Sequence, residues 1–256
     1  MVRRWTLNTP VLRMKDVSRA FGTKVVHRNI TFDLYHGEIL ALMGSSGSGK
    51  SLILKTLIGL TSPDSGQIIF EGKNLCVLNE ATFREVRKKI GYVFQSGALF
   101  NSLTVEENLA YPLRLHTLLS DEEIHGKVSE RLEQMDLKGT NDRYPDEISG
   151  GMQRRVGLLR ATMLDPPILL FDEPTAGLDP EHVAFFSRTL KRLKRERSYS
   201  GILVTHDVES ALAVADRVAL IKDGTIYAIE TTNEIKQSQD PWIREFLFPD
   251  FGEGVA

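Results

Sequence analysis

Residues 44 to 51 read Gly44-Ser45-Ser46-Gly47-Ser48-Gly49-Lys50-Ser51, the spacing G-x-x-x-x-G-K-[ST]. Glycines so placed let successive backbone N–H groups turn inward on a polyphosphate, and a helix starting there adds positive potential. In such a loop Lys50 neutralises the outer phosphates and the Ser51 hydroxyl is offered to Mg2+. Leu52 stands where many such loops carry a second hydroxyl, so its backbone N–H alone is left for the phosphates.

Asp172 and Glu173 follow the apolar run Ile168-Leu169-Leu170-Phe171. A carboxylate at the carboxyl edge of a strand beside a phosphate loop can hold Mg2+, commonly through water. Glu173 then faces the attacking water and is placed to orient or deprotonate it. Alone, an Asp-Glu pair is more often a turn or a cap; beside the phosphate loop it reads as a hydrolytic site. A third group is Ser149-Gly150-Gly151-Met152-Gln153, where Ser149 caps a helix whose first N–H groups form a further anion site. Plain capping accounts for it equally well.

These groups need elements to hold them. Glu38 to Met43 is a continuous apolar run entering the glycine-rich loop, as expected of a strand buried on both faces in a parallel sheet. Lys50 to Leu60 has helical spacing. Residues 11 to 35 alternate short apolar runs with turns and end in the period-two segment 29 to 35, which suggests an antiparallel β layer. Residues 68 to 70 follow a Pro-Asp-Ser-Gly turn as a short strand. From Thr104 to Met163 the spacing is mostly helical. Strands return at 168–171, 201–205 and 217–221, with a helix from Pro180 to Arg197 capped by Asp179. The fold class is α/β, with an antiparallel β layer first and a helical insertion between two stretches of parallel core.

The chain has 256 residues, 32 Lys plus Arg against 34 Asp plus Glu, and 41% hydrophobic residues. This is the composition of a globular protein and excludes disordered, collagenous and membrane-spanning classes. The near balance of charge gives no footprint for nucleic acid. The lone Cys76 forms no internal disulfide and reads as a small buried or half-buried hydrophobe. The start, Met1 to Asn8, is basic but lacks the apolar run of a signal peptide, and no stretch approaches the roughly 18 apolar residues of a membrane span. The expectation is a cytoplasmic protein whose contact with membranes runs through partners.

The phosphate loop, the Ser-Gly-Gly helix start and the Asp-Glu strand end, in this order with a helical insertion before the second, resemble the nucleotide-binding subunit of ABC (ATP-binding cassette) transporters. The resemblance covers about residues 11 to 230. It implies a P-loop NTPase fold with a RecA-like core over 11–95 and 166–230, a helical subdomain over 96–165 and a tail over 231–256, all in one cassette. It implies that Phe21 stacks on adenine and that Val25, or its neighbour Val26, lies beneath the nucleotide. Gln95, in Gly91-Tyr92-Val93-Phe94-Gln95, corresponds to the Q-loop glutamine that contacts Mg2+ and water. Ala176-Gly177-Leu178-Asp179 corresponds to the D-loop and His206 to the switch histidine on the γ-phosphate. The cofactors so implied are ATP and Mg2+, and the assembly is a head-to-tail homodimer. Ile148 and Met152 depart from the common Leu-Ser-Gly-Gly-Gln; the second swap removes an amide.

The strings Ala-Leu-Phe-Asn-Ser-Leu-Thr-Val at 98–105 and Ala-Tyr-Pro-Leu-Arg-Leu-His-Thr at 110–117 are similar to the ATPases of Mla-type systems, which move phospholipid with MCE-domain proteins. Membership implies a membrane permease, a periplasmic MCE protein, a small cytoplasmic subunit and a place on the cytoplasmic face of the inner membrane. The alternatives are an ABC system for a polar solute or for cell division, and a non-transport ABC ATPase. The basic run from Arg188 to Arg197 reads as a solvated helix face with cations at its C-terminal dipole. The aromatic tail from Trp242 to Phe251 docks either on its own domain or on a second subunit.

Overall fold

A computed structural model of the chain describes residues 9–249. The basic start, Met1 to Asn8, and Asp250 and Phe251 of the aromatic tail lie outside the described residues. A hairpin comes first: β1 (Pro10–Phe21) and β2 (Lys24–Tyr35) pair antiparallel from Phe21 opposite Lys24 to Pro10 opposite Tyr35. Then follow β3 (Ile39–Gly44), α1 (Lys50–Leu57), β4 (Ser65–Phe70), β5 (Lys73–Asn74), α2 (Glu80–Arg87) and β6 (Ile90–Val93). Three helices form the insertion: α3 (Val105–His116), α4 (Asp121–Glu133) and α5 (Gly150–Thr162). The rest is β7 (Ile168–Asp172), α6 (Pro180–Arg197), β8 (Ser200–Val204), α7 (Val208–Val214), β9 (Arg217–Lys222), β10 (Thr225–Thr231), α8 (Thr232–Lys236) and α9 (Pro241–Leu247).

Two sheets result. One is antiparallel, in the order β2-β1-β4-β5; the other runs β10-β9-β3-β8-β7-β6 and is parallel except for β10. All of β3 is buried, because β8 and β9 flank it and both of its faces are covered. Its side chains alternate as a strand requires. Leu40 and Leu42 join Leu12, Ile30 and Phe32 of the antiparallel sheet and Ile53 and Leu54 of α1. Ile39, Ala41 and Met43 face the other way, into the core that holds Leu109, Val128 and Val156 of the insertion. Each fully buried Leu, Ile or Met contributes about 1.5–3 kcal/mol relative to exposure, so β3 anchors both layers at once. The result puts the carboxyl ends of β3, β8 and β7 on one edge, where parallel sheets bind ligands.

Several details differ from the sequence reading. Residues 11 to 35 hold two long strands and one hairpin turn. The polar breaks are irregularities in the ladder, with Asp16 and Asn29 at positive φ. The elements α2, β6 and β10 are additional. Cys76 is exposed: it sits in a 3-10 turn, Leu75–Val77, whose inward position Leu75 takes. The cations of α6 are not only a solvated face. Arg192 donates to the Gln134 carbonyl at 2.9 Å, and Lys194 pairs with Asp216, so two of them tie α6 to neighbouring segments. The tail docks on its own domain through residue 247, with Ile243 and Leu247 buried in the main core and Trp242 stacked on Phe246.

Gly91 shows how closely β6 packs. A Cβ there would lie 2.4 Å from the Ala161 carbonyl and 2.7 Å from a Leu169 methyl. The substitution Gly91→Val should cost about 1–3 kcal/mol, read as a lower urea midpoint at unchanged slope. His27, 1% exposed, gives a pH prediction. Burial lowers its pKa from the ordinary 6.5, against a smaller upward pull from the Gly49 carbonyl. The unfolded chain therefore takes up a proton that the folded chain refuses, and stability falls as pH drops below about 6.5. Chemical denaturation at pH 7.5 and 5.5 should show a smaller acid loss in His27→Gln than in the parent chain.

Candidate active site

The phosphate loop joins the end of β3 to α1, with Gly47 and Gly49 at φ of +78° and +88°. Glycine is favoured there because other residues avoid this region. Gly49 is the N-cap of α1 and gives it no side-chain cap. Every other α-helix among the described residues is capped by a side chain. The N–H groups of Lys50 and Ser51, first in the helix, have no intrahelical acceptor. The Leu52 N–H, by contrast, is donated to the Gly49 carbonyl at 2.9 Å, and that of Ser48 to Ser45 at 3.2 Å. Lys50 Nζ donates to the carbonyls of Gly44 and Ser45 at 2.8 and 3.1 Å. Burial pushes its pKa down, while the charges of Glu173 and Asp172 push it up. A buried ammonium held by carbonyls alone, beside unpaired N–H groups and a buried Ser48 hydroxyl with no partner, is suited to a polyphosphate. Ser46, Gly47, Gly49 and Leu52 complete the rim of a cleft of about 520 Å3 that Lys50, Ser51, Glu173 and His206 also line.

Asp172 ends β7 and accepts two hydrogen bonds, from Ser51 Oγ at 2.6 Å and from the Tyr92 hydroxyl at 2.8 Å. Burial, and then the charge of Asp172, raises the Tyr92 pKa, so the phenol stays a donor. Glu173 adopts φ of +50° and its N–H is donated to the Val204 carbonyl at 2.9 Å. This turn sends its carboxylate to His206, whose Nδ1 donates to Oε2 at 2.9 Å. No cluster of three or more His, Cys, Asp or Glu that could cage a metal occurs among the described residues. A hydroxyl and a carboxylate side by side fit Mg2+, which keeps most of its waters and takes few protein oxygens besides phosphate.

The other expected residues lie apart from this cleft. Gln95 is exposed just after β6 and does not line it. Phe21 is 51% exposed and Val25 47%, on facing ends of the β1–β2 hairpin. That exposure rules out a core role for Phe21 and leaves its ring available for stacking; the Arg19 guanidinium covers it at 4.6 Å. Ser149 Oγ accepts from Met152 N at 3.3 Å as the cap of α5. Gly150 and Gly151 supply the first N–H groups of that helix, while the Met152 side chain turns inward onto the main core. Asp179 caps α6 and accepts from His182 Nδ1 at 2.8 Å. The edge of the His182 ring packs on Gly151, where a Cβ would lie 2.5 Å from it. Arg154 Nη2 donates to the Ala176 carbonyl at 2.8 Å. The segments 149–151 and 176–179 are thus tied to each other, and none of their residues lines the cleft that holds Lys50.

Sequence reasoning missed Tyr92 and His27. Tyr92 stood within a quoted motif, but its bond to Asp172 depends on β6 pairing with β7. His27, in β2, places Nε2 3.1 Å from the Gly49 carbonyl; a polar residue at a buried strand position was the available signal.

Comparison with known proteins agrees with this geometry. Residues 27–176 match the ABC transporter family. The intermembrane phospholipid transport system ATP-binding protein MlaF of Haemophilus influenzae is 38% identical over 94% of this chain and 91% of its own. The "Probable ribonucleotide transport ATP-binding protein mkl" of Mycobacterium leprae is 36% identical over 92% of this chain and 68% of its own. The dimeric post-hydrolysis structure of the ATP-binding cassette MJ0796, bound to ADP and Pi, superposes with a TM-score of 0.79 at 31% identity, over 86% of this chain and 98% of that one. The chain thus belongs to the ABC transporter family, as a nucleotide-binding, ATP-hydrolysing cassette.

Proposed function

We propose that this cassette powers phospholipid transport across the bacterial cell envelope as one half of a head-to-tail homodimer seated on a membrane permease. The observation that carries the dimer is the separation just described. One chain contains a phosphate cleft and, elsewhere, a second helix start, capped by Ser149 at Met152 N, whose first N–H groups belong to Gly150 and Gly151. Two copies related by a twofold axis build two complete sites, and the cassette MJ0796 is itself a dimer with ADP and Pi. The phospholipid cargo rests on the similarity to MlaF, which exceeds that to the ribonucleotide-named relative.

Each residue then has a task. The N–H groups of Gly47, Gly49, Lys50 and Ser51 and the ammonium of Lys50 bind the β and γ phosphates, and Ser45, Ser46, Ser48 and Gly44 shape the loop around them. Ser51, Asp172 and Gln95 would hold Mg2+, which would neutralise charge on the phosphates. Tyr92 keeps one Asp172 oxygen occupied and so fixes which oxygen faces Ser51. Glu173 orients the water and accepts its proton, and His206 holds Glu173 and reaches the γ-phosphate. Ser149, Gly150, Gly151 and Asp179 of the partner chain close the site and stabilise charge as it develops. Phe21 and Val25 receive the base.

The permease docks in a groove of about 570 Å3 between the parallel core and the insertion, where Phe100, Tyr111 and Leu115 are exposed. No helix among the described residues is long and apolar enough to cross a membrane, so the lipid path belongs to that permease. The cassette and a small cytoplasmic subunit sit on the cytoplasmic face of the inner membrane, and a periplasmic MCE protein completes the assembly on the opposite side.

The substitution Glu173→Gln should leave MgATP binding and dimerisation intact and lower turnover by about 100-fold or more. Equilibrium binding, gel filtration with ATP and phosphate release check the three parts, and retained turnover would remove Glu173 from its role.

A further inference from the structure

His27 belongs to β2, in the antiparallel sheet, yet its side chain reaches the loop of the other sheet. Its Nε2 lies 3.1 Å from the Gly49 carbonyl. A carbonyl oxygen only accepts, so Nε2 carries the proton, and burial keeps the ring neutral. The same ring also fills space: a Cβ on Gly49 would lie 2.4 Å from Nε2 and 2.7 Å from a Val26 methyl.

The backbone on which His27 rides is fixed from behind. Arg28 N donates to the Gly224 carbonyl at 2.7 Å. Gly224 sits so close that a Cβ there would lie 2.5 Å from the Val26 carbonyl. The turn between β9 and β10 thereby holds this stretch of β2 in place.

The Gly49 carbonyl accepts from Leu52 N at 2.9 Å and Ile53 N at 3.1 Å as well as from His27. All three donors draw this oxygen toward the helix and β2. In a trans peptide the C=O and the following N–H point in opposite directions. Holding the Gly49 oxygen inward therefore turns the Lys50 N–H outward, into the cleft.

We infer that His27 is a positioning residue for phosphate binding: its Nε2–H fixes the Gly49–Lys50 peptide so that the Lys50 N–H faces the bound phosphate. It also ties the strand carrying Val25, on the base side, to the loop on the phosphate side. This rests on the proposed role of the loop in binding the phosphates. A leucine would fill the space without aiming the peptide.

The test uses the full chain and two ligands, ATP and inorganic triphosphate, which lacks the base. Losing one hydrogen bond in His27→Leu should weaken both by about 3- to 10-fold, with kcat changed less than KM. His27→Gln, which keeps an amide donor, should recover most of the affinity. Should His27→Leu fail to fold, His27→Phe takes its place, with a ring but no donor. Unchanged affinity in the Leu or Phe variant overturns the inference. So does an equal loss in Leu and Gln that follows their melting temperatures, which marks a space filler, or a loss for ATP alone, which places the effect at the base. Lys50→Ala separates the two readings. If it still binds triphosphate, the phosphate loop reading fails; if it loses binding while His27→Leu keeps it, only the role of His27 fails.

Discussion

The structure depends on leaving the start of one helix without a side chain over it. Helix starts normally carry a side-chain cap on one of their first N–H groups, and the other α-helices among the described residues do. At α1 the cap is a glycine, so the loop is held from outside. β3 supplies a rigid base because it is buried on both faces. Lys50 reaches back to the carbonyls of Gly44 and Ser45, closing the loop on itself, and His27 holds it from the antiparallel sheet. An anion is what such an arrangement leaves room for.

The same edge of the sheet gathers the chemistry. β8 lies between β3 and β7, so Asp172 and Glu173 arrive beside the loop, with His206 at the end of the strand between them. Asp172 divides its two oxygens between Ser51 and Tyr92, and Glu173 turns away to His206. Adjacent carboxylates thus have separate partners, a consequence of the positive φ at Glu173. The start of α5, proposed as the second anion site, is tied to the 176–179 segment by His182 and Arg154. In a dimer these two segments would arrive at the other subunit's cleft together.

Much of this was legible in the sequence, for identifiable reasons. The apolar runs of β3 and β7 ended in residues whose types fit phosphate and metal, and Asp179-Pro180 marked the start of α6 at the residue where it begins. What was not legible depended on partners distant in the chain. The short β6 is recognisable as a strand only beside β7, and Tyr92 has a task only once that pairing exists. His27 meets Gly49 across 22 positions and between two sheets. Cys76 was misplaced because a composition argument cannot tell which residue of a 3-10 turn points inward.

The central claim is that each working site is shared by two chains. It is tested most directly by mixing two inactive variants, Lys50→Ala, which damages the phosphate cleft, and Ser149→Arg, which blocks the start of α5. In a head-to-tail heterodimer one site carries both defects and the other carries neither. ATP hydrolysis should therefore reappear on mixing and depend on the ratio of the two proteins. A mixture that forms heterodimers yet stays as inactive as its components would contradict the account.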